Sequence, residues 1–181
     1  MTRTVRIALT ETRNVFPNMP RSLEALHKLS DRLDDIRQAN LDHHLELVAA
    51  AKTAGAQLLV CGELFSAPYF ALETHPMWKD MAESAEDGPS VECMKKAAAE
   101  HGMVIVAPIY ELAESGARYN AAVIIDETGK VIGKYRKTHI PAGTNELGTF
   151  TETYYYGPSN GDCGQWEANI SDNPYFPVFE T

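Results

Sequence analysis

Apolar positions in this 181-residue chain recur with two periods, and the switches between them outline alternating strands and helices. Val5-Arg6-Ile7-Ala8-Leu9 reads as a short β-branched strand, and residues 10–21, with Asn and two prolines, read as loop. From Ser22, Leu23, Leu26, Leu29, Leu33 and Ile36 return every three or four residues, which predicts one helical face. Leu41, Leu45, Val48 and Ala51 predict a second helix, with Gly55 as its C-terminal cap. Residues 57–61 predict a strand, and residues 65–72 an aromatic turn. A short helix is expected around residues 77–85. Pro89 and Ser90 open a further helix with Val91, Met94, Ala97 and Ala98 inward, closed by Gly102. Residues 104–107 and 121–125 predict strands, and residues 126–129 a hairpin turn into a strand over 130–135.

Helices alternating with apolar strands predict an α/β fold, and the hairpin makes the sheet mixed. Residues 140–181 are rich in Gly, Pro, Asn and Tyr and read as a long ordered loop over a site. They end at Phe176-Pro177-Val178-Phe179-Glu180-Thr181, which has the character of an approach to another strand, so the sequence is expected to stop within a domain.

Composition narrows the function classes. The length fits one domain over residues 1–181. Apolar residues make up 44% and charged residues 23%, as in ordinary globular proteins. Sixteen basic against 25 acidic residues give a net charge of −9, and the largest basic cluster is Lys134-Tyr135-Arg136-Lys137, so no nucleic-acid partner is expected. No apolar run approaches a membrane span and residues 1–6 lack a signal-peptide core, so a cytoplasmic location and no membrane partner are expected. Cys61, Cys93 and Cys163 form no ligand spacing, which favours reduced thiols. The adjacent His43-His44 has no HExxH-like companion, and no metal is expected.

Chemistry concentrates at two strand ends. Residues 58–62 run an apolar strand into Glu63, and residues 131–133 run another into a basic stretch that offers Lys134 and Lys137. A carboxylate and an ammonium at the ends of core strands can share a cleft, where burial and mutual charge set their protonation. Such a pair is half of an acyl-transfer site and still needs a nucleophile.

Six motifs in this order carry a family resemblance. Gly62-Glu63-Leu64-Phe65, residues 104–111, Tyr119-Asn120-Ala121-Ala122, Gly133-Lys134-Tyr135-Arg136-Lys137-Thr138-His139-Ile140-Pro141, and the later Phe150-to-Tyr156 and Pro177-to-Thr181 stretches resemble the nitrilase superfamily of carbon-nitrogen hydrolases. Within it, the resemblance is to β-ureidopropionase and related N-carbamoyl amidohydrolases. It implies a four-layer αββα sandwich with mixed sheets, here truncated before the nucleophile strand, and a Glu–Lys–Cys triad with a second Glu.

Carried onto this chain, Glu63 would be the general base that takes the thiol proton and later activates water. Lys137, not Lys134, would face the developing oxyanion. Glu152, in preference to Glu146, would orient Lys137 and substrate. Tyr69, Phe70 and His139 are the candidates for substrate contact, though His139 also suits a loop brace. Tyr154, Tyr155 and Tyr156 suit packing better than substrate contact. The family's cysteine would fall about ten residues beyond Thr181 (a spacing the family implies), because Cys61 lies in a strand, Cys93 in a helix and Cys163 beside an acid that raises a thiol pKa.

The resemblance implies a small-molecule substrate with a linear C–N bond, such as an N-carbamoyl amine or amino acid, no cofactor, and a homo-oligomer. It leaves two rivals: a catalytically dead fragment or pseudoenzyme that acts only by association, and an α/β ligand-binding module. Residues 10–37 exceed the family's usual first connection, and an extra amphipathic helix there is expected to serve packing.

Overall fold

The computed structural model describes residues 4–11, 13–146 and 148–181. Residues 1–3, 12 and 147, which belong to the segments read above as chain start and loops, lie outside the described residues. Five strands form one sheet in the order β1 (Ile7–Leu9), β2 (Leu58–Val60), β3 (Val104–Leu112), β4 (Arg118–Ile125) and β5 (Val131–Arg136). The first three are parallel, because helices α1 (Leu33–Thr53) and α2 (Pro89–His101) carry the chain back between them. The last two pair antiparallel, as short connections require. The sheet is therefore mixed, and the fold is α/β with helices.

Alternation along each strand separates two faces. Leu59, Ile105, Ala107, Ile109, Ala121, Val123 and Ile125 point towards Leu41, Val48 and Ala51 of α1 and Val91, Met94, Ala97 and Ala98 of α2, and this is the main core. The opposite face carries Val60, Val106, Pro108, Ala122 and Tyr135, all half-buried. Part of it is covered by the C-terminal segment, where Phe176 stacks on Tyr135 with centroids 6.5 Å apart. Gly133 permits this approach, since a Cβ there would lie 2.2 Å from the Phe179 ring.

The first helical prediction needs correction. Leu23–Leu29 is a 3-10 helix, and Leu33 and Ile36 already belong to α1, which runs unbroken through the stretch read as a second helix. Ser30 and Asp31 favour local turns over helix interiors and end the first segment. The packing role stands, with Leu26, Leu29, Leu33 and Ile36 in a second core cluster around Trp78 and Phe70. Gly55, at φ +79°, follows the α1 cap Ala54, and Gly102 caps α2 in the left-handed region.

Two more boundaries shift. The expected helix around 77–85 is a 3-10 helix, Pro76–Met81. Strand β3 continues through Pro108 to Leu112, because β2 pairs with it only through Val106 and the proline lies beyond that ladder. Residues 140–181, read as loop, contain a hairpin of β6 (Ala142–Asn145) and β7 (Gly148–Thr151), then a 3-10 helix, Glu152–Tyr154. No helix among the described residues is long and apolar enough to cross a membrane.

Candidate active site

Strands β2 and β5 end at the same edge of the sheet, and β4 begins there. Glu63 follows β2 in a turn tied to its neighbours by Cys61 N–H donating to Val106 O at 3.0 Å and Gly62 N–H donating to Thr10 Oγ1 at 3.0 Å. Leu64 has φ 51°, a left-handed backbone that costs a non-glycine residue roughly 1–3 kcal/mol. The conformation is held because Phe65 is buried in the helix-side core and Leu64 in the second cluster. Those two side chains anchor the turn from both sides and leave Glu63 facing out.

Lys137 follows β5. Its Nζ donates to Glu63 Oε1 at 2.8 Å and to Glu152 Oε2 at 2.9 Å. The Glu152 side chain is only 4% exposed, whereas that of Glu63 is 51% exposed. Burial alone would lower the Lys137 pKa, but the hydrogen bonds and charges of Glu63 and Glu152 outweigh it and hold the ammonium above the ordinary lysine value. Tyr69 OH donates to Glu152 Oε1 at 3.0 Å. Burial first, then the Glu152 and Glu63 charges, push its phenol up to about 12.

Glu152 is seated by the aromatic cluster behind it. Tyr155 and Tyr156 are each 3% exposed, Tyr155 OH donates to Glu73 O at 2.8 Å, and Tyr110 OH donates to Tyr155 O at 2.8 Å. The buried Tyr156 hydroxyl lies against Asn120 and Glu152, and burial keeps it protonated well above the usual phenol range.

The structure thus brings Glu63, Lys137, Glu152 and Tyr69 together. It places Phe70 elsewhere: the ring is 2% exposed and packs on Trp78, Tyr110 and Tyr155, so the expected pocket wall is a core residue beneath Tyr69. His139 is exposed and faces its neighbour Thr138 Oγ1 at 3.0 Å. Glu146 is exposed in the β6–β7 turn, away from the position Glu152 takes. Cys61 is buried in the helix-side core with Cys93 packed against it, and burial pushes the Cys61 thiol up to about 12. Cys163 is buried near Arg136.

Sequence reading places Asn120 in the Tyr119-Asn120-Ala121-Ala122 motif but gives it no role in the site. It is 6% exposed on β4, and its side-chain amide donates to Glu63 Oε1. The signal was a single polar residue within the apolar run of β4, on the face turned away from the helices.

The chemistry this arrangement supports is proton transfer at a half-exposed carboxylate beside a fixed cation. Fold and sequence agree on the class of protein. The carbon-nitrogen hydrolase family model matches residues 35–181, and the chain belongs to that family. It is 31% identical to a β-ureidopropionase of Arabidopsis thaliana, over 99% of this chain and 37% of that protein. It is 35% identical to the N-carbamoylputrescine amidase of the same plant (82% and 43%), and 31% identical to a citrullinase of Francisella tularensis (70% and 42%). Among solved structures it resembles a carbon-nitrogen hydrolase from Helicobacter pylori, at TM-score 0.60 and 28% identity over 68% of this chain and 40% of that one. An amidase from Nesterenkonia sp. shares the fold at TM-score 0.60 and 22% identity (86% and 48%). The chain spans less than half the length of these curated relatives.

Proposed function

We propose that this chain forms the base-and-lysine portion of an amidohydrolase that cleaves a linear, non-peptide C–N bond of an N-carbamoyl compound. The observation that carries the reading is one ammonium, Lys137 Nζ, held between two carboxylates at 2.8 and 2.9 Å beside solvent. In this reading a cysteine beyond Thr181 supplies the nucleophile. Glu63 accepts the thiol proton as sulfur attacks the ureido carbonyl, and Lys137 stabilises the oxygen that gains charge. The leaving nitrogen takes the proton back from Glu63 and departs, leaving a thioester. Glu63 then deprotonates a water that attacks the thioester, and sulfur takes that proton and leaves as thiol, releasing a carbamic acid that breaks down in water to carbon dioxide and the remaining amine or ammonia. Net, one ureido compound and one water give the amine, ammonia and carbon dioxide. The substrate class is supported by the three relatives, each named for a ureido or carbamoyl compound.

A second reading, a catalytically dead segment acting by association, draws on the placement of all three thiols away from the cluster. One experiment separates them. The natural polypeptide is weighed intact and assayed for ammonia release from β-ureidopropionate, citrulline and N-carbamoylputrescine. Turnover that falls by about 10² or more in Glu63→Gln is expected. A mass of 20.0 kDa with no turnover would put the association reading first.

A further inference from the structure

We infer that Asn120 is a positioning residue for this reaction, one that holds Glu63 and Lys137 in a single register and reserves Glu63 Oε2 for the proton. The inference rests on the proposed function. Two independent groups of Asn120 touch the two reactive residues. Its side-chain amide donates to Glu63 Oε1, and its backbone carbonyl accepts the Lys137 N–H at 2.8 Å. An amide beside a carboxylate must present its NH2, since two acceptors in contact repel. The strand that carries Asn120 lies next to β5 in the sheet, so its position along β4 sets the position of Lys137.

The consequence is an asymmetric carboxylate. Glu63 Oε1 receives both Asn120 Nδ2 and Lys137 Nζ, while Oε2 receives no hydrogen bond among the described residues. An oxygen already accepting two charge-assisted or amide bonds is the poorer proton acceptor, so the proton goes to Oε2. Glu152 differs. Tyr69 OH holds its Oε1 and Lys137 Nζ its Oε2, which leaves it a brace with both oxygens engaged. Asn120 is thus part of what gives two neighbouring glutamates different roles.

The groups facing Glu63 are Lys137 after β5, Glu152 in its 3-10 helix, Tyr69 in the loop after the Glu63 turn, Tyr156, and Asn120 from β4. Replacing the amide by a carboxyl adds a like charge to this set, while keeping the shape and the carbonyl that Lys137 uses. The test uses the natural polypeptide that carries this segment, with Glu63→Gln as control. Asn120→Ala should lower kcat about 10- to 100-fold with KM changed less than about threefold. Asn120→Asp should move the acid limb of the kcat/KM profile to higher pH by about one unit. An Asn120→Ala enzyme with kcat within about twofold of the parent, or an unmoved acid limb in Asn120→Asp, would overturn the inference. Loss of the fold in Asn120→Asp, seen by circular dichroism, would assign the residue to structure instead. Activity retained in Glu63→Gln would overturn the functional reading as well, whereas an inactive Glu63→Gln with unaffected Asn120 variants removes only this inference.

Discussion

Strand β5 and the residue after it serve two ion-pair clusters on opposite faces of the sheet, each built from glutamate and basic side chains. On the helix side, Glu111 is 1% exposed and accepts from Arg136 Nε at 2.7 Å, Arg136 Nη2 at 2.6 Å and Lys134 Nζ at 2.7 Å. Arg136 also donates to Asp162 O at 2.6 Å and stacks over Tyr119 at 3.9 Å, which ties the loop at 160–164 to the sheet. On the other side, Lys137 serves two carboxylates, and one of those, Glu63, is half exposed and takes no hydrogen bond at Oε2 among the described residues. The first cluster has two cations for one anion, and the second has one cation for two anions. A closed, fully bonded network has no group left to exchange a proton, so it braces. An open one with a carboxylate in excess has such a group, and it can do chemistry.

The protonation of the two clusters differs in the same sense. Burial would raise the Glu111 pKa, but the hydrogen bonds and charges of Arg136 and Lys134 outweigh it and hold the carboxyl below the ordinary value. Arg136 is correspondingly held above its ordinary value against the effect of burial. Neither group is left free to trade a proton near neutral pH.

The sharpest way to break the contrast is to remove one lysine from each cluster. If the proposed reaction holds, Lys137→Met in the natural polypeptide should cost about 10² to 10³ in kcat/KM, while Lys134→Met stays within about threefold, because Arg136 still pairs Glu111. Equal losses in the two variants would erase the distinction. Stability should show the reverse ranking when a carboxylate is removed. Glu111→Ala leaves two largely buried cations without their counter-charge and should cost about 3–5 kcal/mol, read as a lower urea midpoint.

The same pair sharpens by pH. The folded Glu111 carboxyl ionises below its ordinary value of 4.5, so its contribution is present above that value and lost as pH falls through the folded value. Acid should therefore weaken the parent more than Glu111→Gln, and parallel urea midpoints from pH 6 to 3 would contradict this. The smallest effect concerns Tyr69. Burial and then the Glu152 charge and hydrogen bond raise its phenol, so Glu152→Gln should lower it from about 12 towards the usual phenol value of 10. Difference absorbance against matching Tyr69→Phe variants at alkaline pH would read the change, and an unmoved phenol would remove Glu152 as a cause.

Much of the fold was legible because burial writes itself into local period. The strands at β1 to β5 and helix α2, with Pro89 first and Gly102 last, follow from apolar spacing and end signals that act within a few residues. The failures share one cause. Leu23 to Ile36 kept a helical period across a real break, since Leu26 and Leu33 both face the same core cluster from different elements. Strand β3 was expected to end before Pro108, because the length of β2, which decides whether a proline is tolerated, is a tertiary fact. Phe70 looked like a pocket wall and is core, because only the assembled cluster of Trp78, Tyr110 and Tyr155 sets which way the ring faces.

By itself, the sequence determined the α/β alternation, the two strand ends that carry Glu63 and Lys137, and the motifs that identify the family, all of which depend on residue type and short spacing. Only the tertiary structure decided that Lys137 reaches Glu63 and Glu152 while Lys134 and Arg136 turn to Glu111, and that Asn120 stands between β4 and the Glu63 turn. The reason is physical. Side chains alternate across a strand, so neighbours one residue apart meet different faces, and what waits on each face is brought there by segments up to 74 residues away.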